Sequence, residues 1–214
     1  MYSAEFINIV APSVQVTSGA ASAFITIPND ASGNMARAIR IATKSNVYVL
    51  PHYAPLATGS ITFTGVPANN DTITVNSTVI TWKTSGATGN EVNIQPTAVL
   101  NARALWLFLS QSSNANIRAA SYDWNTQQGD TQIRVTARTA GTGGNSFTLT
   151  ESTANMTVSG ATLTGGSETA ATAANSVLIK PGESLLLRCY GITGMSYIQE
   201  TSASIFNISP IEVG

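Results

Sequence analysis

Most of this chain is written in short runs that alternate apolar and polar residues and then break. In the first 55 residues the runs are "EFINIV", "VQVT", "AFITIP", "ARAIRIAT" and "NVYVLP", interrupted at Pro12, at Pro28-Asn29-Asp30 and at Lys44-Ser45-Asn46. Side chains alternate across a strand, so a period of two buries one face and leaves the other in water. Runs of roughly four to eight residues bounded by Pro, Gly and Asn read as β-strands. The last stretch, from residue 175, is written the same way: "SVLIKPGESLLLRCY" reads as two strands around Pro181-Gly182, followed by "MSYIQE" and "SIFNISPIEV".

Neither end is long enough to close a core alone, because about 40 to 55 residues bury too little surface without metals or disulfides. Together they have the size of an ordinary sandwich domain. The expectation is one discontinuous, jelly-roll-like β-sandwich made of residues 1–57 and 172–214.

Residues 58–171, between those ends, have a different texture. "GSITFTGVP", "DTITVNSTVITWK" and "NEVNI" read as strands, and then comes "PTAVLNARALWLFLSQSS". Val99, Ala102, Trp106 and Leu109 recur there at helical spacing and mark a core stripe, and Leu105, Leu107 and Phe108 widen it. Pro96 suits a first helical turn. "IRAASYDW", "TQIRVTART", "SFTLTES" and "MTVSGATLTGG" return to strands. One helix against a mainly antiparallel sheet predicts an inserted α+β module. A Pro-rich stretch, Pro51 to Pro55, and the Ala/Thr/Ser-rich "GSETAATAANS" read as its linkers.

The glycines of "TARTAGTGGNSFTLT", Gly141, Gly143 and Gly144, raise the question of a phosphate loop. Such a loop needs a lysine, a Ser/Thr for magnesium and a helix behind it. Here the nearest cation, Arg138, precedes the loop and an alternating run follows, so the glycines read as the turn of a hairpin.

Catalytic and metal chemistry find no matching constellation. His52, in "VLPHYAPL", is the one histidine and reads as a linker residue; Cys189 is the one cysteine. A lone pair of such residues supplies neither a disulfide nor a structural zinc site. The acids are scattered, with Asp71 and Asp130 in turn contexts and Asp123 without an identifiable partner. No Gly-x-Ser-x-Gly elbow accompanies His52. Trp82, Trp106 and Trp124 read as core or sheet-face residues, with sugar stacking by Trp124 as the functional alternative. The expectation is no enzyme activity, no catalytic or metal residues and no cofactor.

Charged residues are 10% of the chain and the net charge is -1, so no overall field draws it to nucleic acid. Arg37, Arg40 and Lys44 form the one local basic group, a candidate interaction surface. No apolar stretch of about 18 residues is present to span a membrane. "MYSAEFINIVAP" lacks the basic start and long apolar core of a signal peptide. Synthesis in a cytoplasm is expected.

The central runs "GSITFTGVPANNDTITVNSTVITWK", the Ala/Leu-rich helix, "QIRVTARTAGTGGNSFTLT" and "MTVSGATLTGG" resemble a module that recurs in tail, baseplate and capsid-associated proteins of tailed bacteriophages. The resemblance spans residues 59–166, and the helix departs from it by carrying Trp106 and Phe108. The flanks, in particular "SVLIKPGESLLL" and "YIQETSASIFNISPIEV", resemble the small β-sandwiches of phage head decoration (cement) proteins.

The resemblance implies a virion structural protein on the capsid surface. It would bind the major capsid protein as a homotrimer, with the sandwich as its foot and the module projecting outward. The alternatives are a tail- or fibre-associated adhesin whose module binds host glycan and, more remotely, a tail-tube or neck component.

Overall fold

Val, Ile and Thr crowd the alternating runs, and β-branched side chains fit a pleated, half-buried surface. The computed structural model describes residues 7–32, 34–124 and 130–213. It is mainly β, with 45% strand against 12% helix, which settles the fold class at that level. The first strands are β1 (Ile7–Ile9), β2 (Val14–Thr17), β3 (Ala23–Thr26), β4 (Ala38–Thr43) and β5 (Val47–His52). Then come β6 (Leu56–Phe63), β7 (Thr72–Val75), β8 (Thr78–Lys83) and β9 (Glu91–Asn93), and the helices α1 (Ala98–Gln111) and α2 (Ala115–Arg118). β10 (Ala120–Trp124) and β11 (Gln132–Ala140) lead to a 3-10 helix at Gly141–Ser146, followed by β12 (Leu149–Glu151) and β13 (Met156–Val158). The chain closes with β14 (Val177–Ile179), β15 (Ser184–Arg188), β16 (Gly194–Gln199) and β17 (Ile205–Val213).

Contacts divide the chain into two compact units, Met1–Pro55 with Glu168–Gly214, and Leu56–Ser167. These limits differ by a few residues from those read in the sequence. β6 already begins at Leu56. On the return, Ala171 is buried and its N–H donates to Ser22 Oγ at 2.8 Å, which assigns residues 168–171 to the terminal unit.

The terminal unit has two sheets, one ordered β1-β17-β4-β15 with β2 also paired to β17, the other β14-β5-β16-β3. From β2 to β5, and again from β14 to β17, consecutive strands change sheet at every step. The two strands around Pro181-Gly182 are therefore no hairpin, because β14 pairs with β5 while β15 pairs with β4. Gly182, at φ +82°, makes the left-handed turn between them. Ile39, Ile41, Phe206 and Ile208 from one sheet share an apolar cluster with Val47, Val49, Met195 and Tyr197 from the other. At the β4–β5 corner, buried hydroxyls take up backbone groups. Ser204 N–H donates to Ser18 Oγ at 2.9 Å, Ser45 N–H donates to Ser204 Oγ at 3.1 Å, and Thr43 Oγ1 lies 3.0 Å from Ser204 Oγ. Each bond satisfies a group that would be costly to bury alone.

In the second unit β10-β11-β6-β13 form one sheet and β12-β7-β8-β9 another. The β8–β9 pair is parallel. Helix α1 lies over the core they share with Trp82, Phe63, Leu105 and Leu109. The helix starts later than the sequence suggests. Thr97 is its N-cap, with its side chain accepting from Leu100 N–H at 3.3 Å, so Pro96 lies outside the first turn. Asn101 is fully buried and holds the approach to the helix: Gln95 N–H donates to its Oδ1 at 2.9 Å, and its Nδ2 donates to the carbonyls of Gln95 and Thr97, each at 2.8 Å.

Two further corrections concern short helices, so the module does not contain a single helix. The start of "IRAASYDW" lies in α2, where Asn114 Oδ1 accepts from Asn116 N–H at 2.9 Å and Ile117 is buried. The strand begins only at Ala120. "GTGGNS" is a 3-10 helix that joins strands of different sheets, and not a hairpin turn. Only Gly141 of its glycines needs a positive φ, +73°. Gly144 is needed for space, since a Cβ there would sit 2.7 Å from the Thr139 carbonyl oxygen.

Candidate functional site

Arg37, Arg40 and Lys44 are exposed, but they do not form one group. Seven residues of extended chain separate Arg37 from Lys44, a span of about 23 Å at roughly 3.3 Å per residue. Arg40 sits mid-strand on the outward side of β4, between buried Ile39 and Ile41. Arg37 precedes β4; its carbonyl accepts from Cys189 N–H at 2.8 Å, and it lines an open cavity of about 450 Å3 with Asp30, Met35 and Ile211. Lys44 follows β4, with its N–H on the Ile205 carbonyl at 3.2 Å.

The fold adds two residues to Arg40 that sequence reasoning missed. On the edge strand β15, Leu186 stands opposite Arg40 and Arg188 opposite Ala38. Ser184, Leu186 and Arg188 are exposed, while Leu185 and Leu187 turn inward. The same outward face carries Asn207 of β17, opposite Ala42, and Gln15 of β2, opposite Asn207. Among the described side chains of β2, β17, β4 and β15 none is acidic. Arg40 and Arg188 thus flank an exposed leucine, with no carboxylate among the described side chains of these four strands.

The helix buries part of its expected stripe and one residue outside it. Ala102 and Leu109 are buried, but Asn101 and Leu105 hold the other fully covered positions, with Val99 and Trp106 only partly buried against the core. Trp106 places its indole N–H 3.2 Å from the Tyr122 carbonyl, and its ring lies 5.9 Å from that of Trp124. Trp124 is itself buried, with its N–H donating to the Asp130 carbonyl at 2.6 Å, so it offers no open face for stacking a sugar.

The acids do turn work. Asp71 Oδ2 accepts from Ala68 N–H at 2.7 Å, and Asp130 Oδ1 accepts from Gln132 N–H at 2.9 Å. Asp123 is exposed on β10, opposite Arg134. Glu91, hydrogen-bonded by Thr88 N–H and 3.6 Å from Lys83 Nζ, is held below the usual carboxylate range, first by that backbone bond. Burial pushes the Tyr122 hydroxyl well above its ordinary range, with Arg138 opposing, and the hydroxyl donates to the Ile117 carbonyl at 2.7 Å. Burial likewise pushes the Cys189 thiol up to about 11, which keeps it protonated and unreactive at neutral pH. Among the described residues, no three His, Cys, Asp or Glu side chains come together to hold a metal ion. No helix is long and apolar enough to cross a membrane among the described residues.

A scan of protein-family models, a search of curated proteins and a search of solved structures each found no match to this chain.

Proposed function

We propose that the protein is a virion structural protein without enzymatic activity, a decoration protein that binds the outer surface of a bacteriophage head. In this reading the terminal unit is a jelly-roll-like sandwich, a description supported by strands that change sheet at each step and by the apolar cluster to which both sheets contribute. It forms the foot and the self-association surface of a homotrimer on the major capsid protein, with no nucleic-acid or membrane partner. The second unit is a displayed module. Bridging neighbouring shell subunits adds interface area that opposes the outward pressure of packaged DNA.

One observation carries the reading. The sheet bearing Arg40 and Arg188 is built from both ends of the chain, while residues 56–167, inserted in sequence between β5 and β14, form a separate compact unit. A chain divided in this way suits attachment by one unit and presentation by the other. The attachment face we assign is the outward side of Arg40, Leu186 and Arg188, which complements a shell surface carrying carboxylates. Closed symmetry would also cover strand edges such as β15 that are otherwise open to aggregation.

The test is binding of the full-length protein to capsids of the encoding virus that have been stripped of it. Wild type should saturate at a copy number set by the shell lattice and be trimeric on the shell. Arg40→Glu with Arg188→Glu should weaken binding at least tenfold while leaving the circular dichroism spectrum unchanged. Moderate salt should have a smaller effect, because few charges are available to screen. Failure of wild type to bind, with adsorption to host cells instead, would replace this reading with that of a glycan-binding adhesin.

A further inference from the structure

His52, read from the sequence as a linker residue, is the last residue of β5, and both of its ring nitrogens are engaged. Nδ1 lies 3.0 Å from the Leu50 carbonyl oxygen. A carbonyl only accepts, so Nδ1 carries the hydrogen and donates it. Nε2 lies 3.1 Å from the backbone nitrogen of Thr169. A backbone N–H only donates, so Nε2 is the bare, accepting nitrogen. Neither partner can exchange roles, and together they select one neutral tautomer. The Phe24 ring, 5.6 Å away and tilted by 55°, flanks the imidazole.

The position of this contact gives it a consequence. β5 leads out of the terminal unit through Pro55, and Thr169 is the second residue of that unit on the way back. We propose that His52 and Thr169 form an acid-sensitive clasp: neutral His52 fastens the returning segment to the end of β5, and a proton taken from solvent at Nε2 releases it. The protonated ring presents N–H groups at both nitrogens. The hydrogen on Nε2 then faces the Thr169 N–H, and two donors cannot bond.

The neighbouring anchors do not titrate in this range. Ala171 N–H donates to Ser22 Oγ at 2.8 Å, and Ala54 N–H donates to Thr193 Oγ1 at 2.7 Å. The released contact is therefore that of Thr169, while the Ala170 carbonyl stays on Asn175 Nδ2 at 3.0 Å. The other titratable groups on the surrounding strands are Tyr48 on β5 and Tyr197 on β16, with Tyr53 following β5, and β3 has none. Tyrosines titrate far above the imidazole range. The returning segment contributes Glu168, the residue before Thr169.

The single histidine makes the test clean. In full-length 15N-labelled protein at about pH 8, a scalar coupling should be measurable across the N–H···N bond between Thr169 and His52 Nε2. It should vanish by about pH 5, across the interval in which imidazoles change charge. Over the same interval, Thr169 amide protection, corrected for intrinsic exchange, should fall roughly three- to tenfold, the scale of one modest hydrogen bond. The Ala54 and Ala171 amides should show no such step. His52→Gln should abolish the step at Thr169. Thr169→Pro, which removes the donor and leaves the ring in place, should abolish the tautomer preference of His52. Absence of the coupling at pH 8, its survival at pH 5, or a Thr169 step that persists in His52→Gln would overturn the clasp. Either variant suffices if the other fails to fold.

Discussion

The two units share a β-rich composition but close in different ways. The module completes every sheet within residues 56–167, and it holds all three tryptophans of the chain, Trp82, Trp106 and Trp124. The terminal unit has none, and relies on branched aliphatics such as Ile39, Ile41 and Ile208, on Phe206, and on the buried hydroxyls around Ser204. Its organising strand is the last one. β17 lies between β4 on one side and β2 with β1 on the other, pairing Ile211 with Ile9 and Phe206 with Val16. Pairing partners so far apart in sequence carries a loop-closure cost before any contact offsets it. One unit can close as its own segment becomes available; the other waits for β17.

Removing β17 should break this comparison most severely. A chain ending at Ser204 should lose cooperative unfolding of the terminal unit altogether, since the neighbours on both sides of β17 lose their partner. The module's transition, followed by tryptophan fluorescence, should survive. Loss of both transitions together would mean that the module depends on the terminal unit.

Paired core truncations give the next largest effects. Trp82 is fully buried with its ring edge-on to Phe63 at 5.6 Å, and Phe206 is fully buried beside Tyr197 at 5.0 Å. Trp82→Ala and Phe206→Ala should each cost about 3–5 kcal/mol. In denaturant titrations, the first should shift the fluorescence transition and the second should leave it in place while moving the circular dichroism transition. Trp106→Ala, removing a half-buried ring, should cost less, about 2 kcal/mol.

Gly144 sharpens the comparison within the module. A Cβ there meets the Thr139 carbonyl oxygen at 2.7 Å and the Ala57 Cβ at 3.1 Å, so the backbone must shift. Gly144→Ala should destabilise the module by about 1–3 kcal/mol. Gly86, at φ +70° with nothing within 4 Å, should lose only about 1 kcal/mol as alanine, from the left-handed conformation alone. Equal costs at the two sites would show that the 3-10 segment yields more readily than its packing implies.

The smallest expected effect is the pH dependence that Cys189 gives the terminal unit. Burial raises the Cys189 thiol from its ordinary 9.0 to about 11, so the folded chain keeps a proton that the unfolded chain has released. The resulting stabilisation is fully present below pH 9 and is lost as the pH rises from 9 through 11. Cys189→Ala should make the terminal unit's stability fall less steeply in that window, where buried Tyr197 also contributes, and should not alter the module's profile.

Local patterns in the sequence carried the strands and the main helix, because alternation and helical spacing state which side of an element each residue occupies. They failed for α2, where one turn capped by Asn114 is too short to show a period. They failed again at "GTGGNS", where only Gly141 takes a turn conformation and Gly144 is needed for space in a 3-10 segment. The candidate site was legible only through Arg40. Nothing in "SLLLRCY" says which strand lies beside it, and so Arg188 could not be added to Arg40 before the β4–β15 register was known. On α1 the stripe was legible at Ala102, Leu105 and Leu109, but polar Asn101 was not expected inside, and its burial depends on the carbonyls of Gln95 and Thr97 being there to receive its amide.

By itself, the sequence determined that this chain is mainly β, that its middle differs from its ends, and which residues turn inward, because those properties follow from side chains reading their own neighbours along the backbone. Tertiary structure alone decided which strands pair, that Pro181-Gly182 joins two sheets, and that a lone histidine meets the amide of Thr169 across 117 positions. Pairing is a choice among many alternating strands with nearly equal local preferences, and only burial of the whole core separates them.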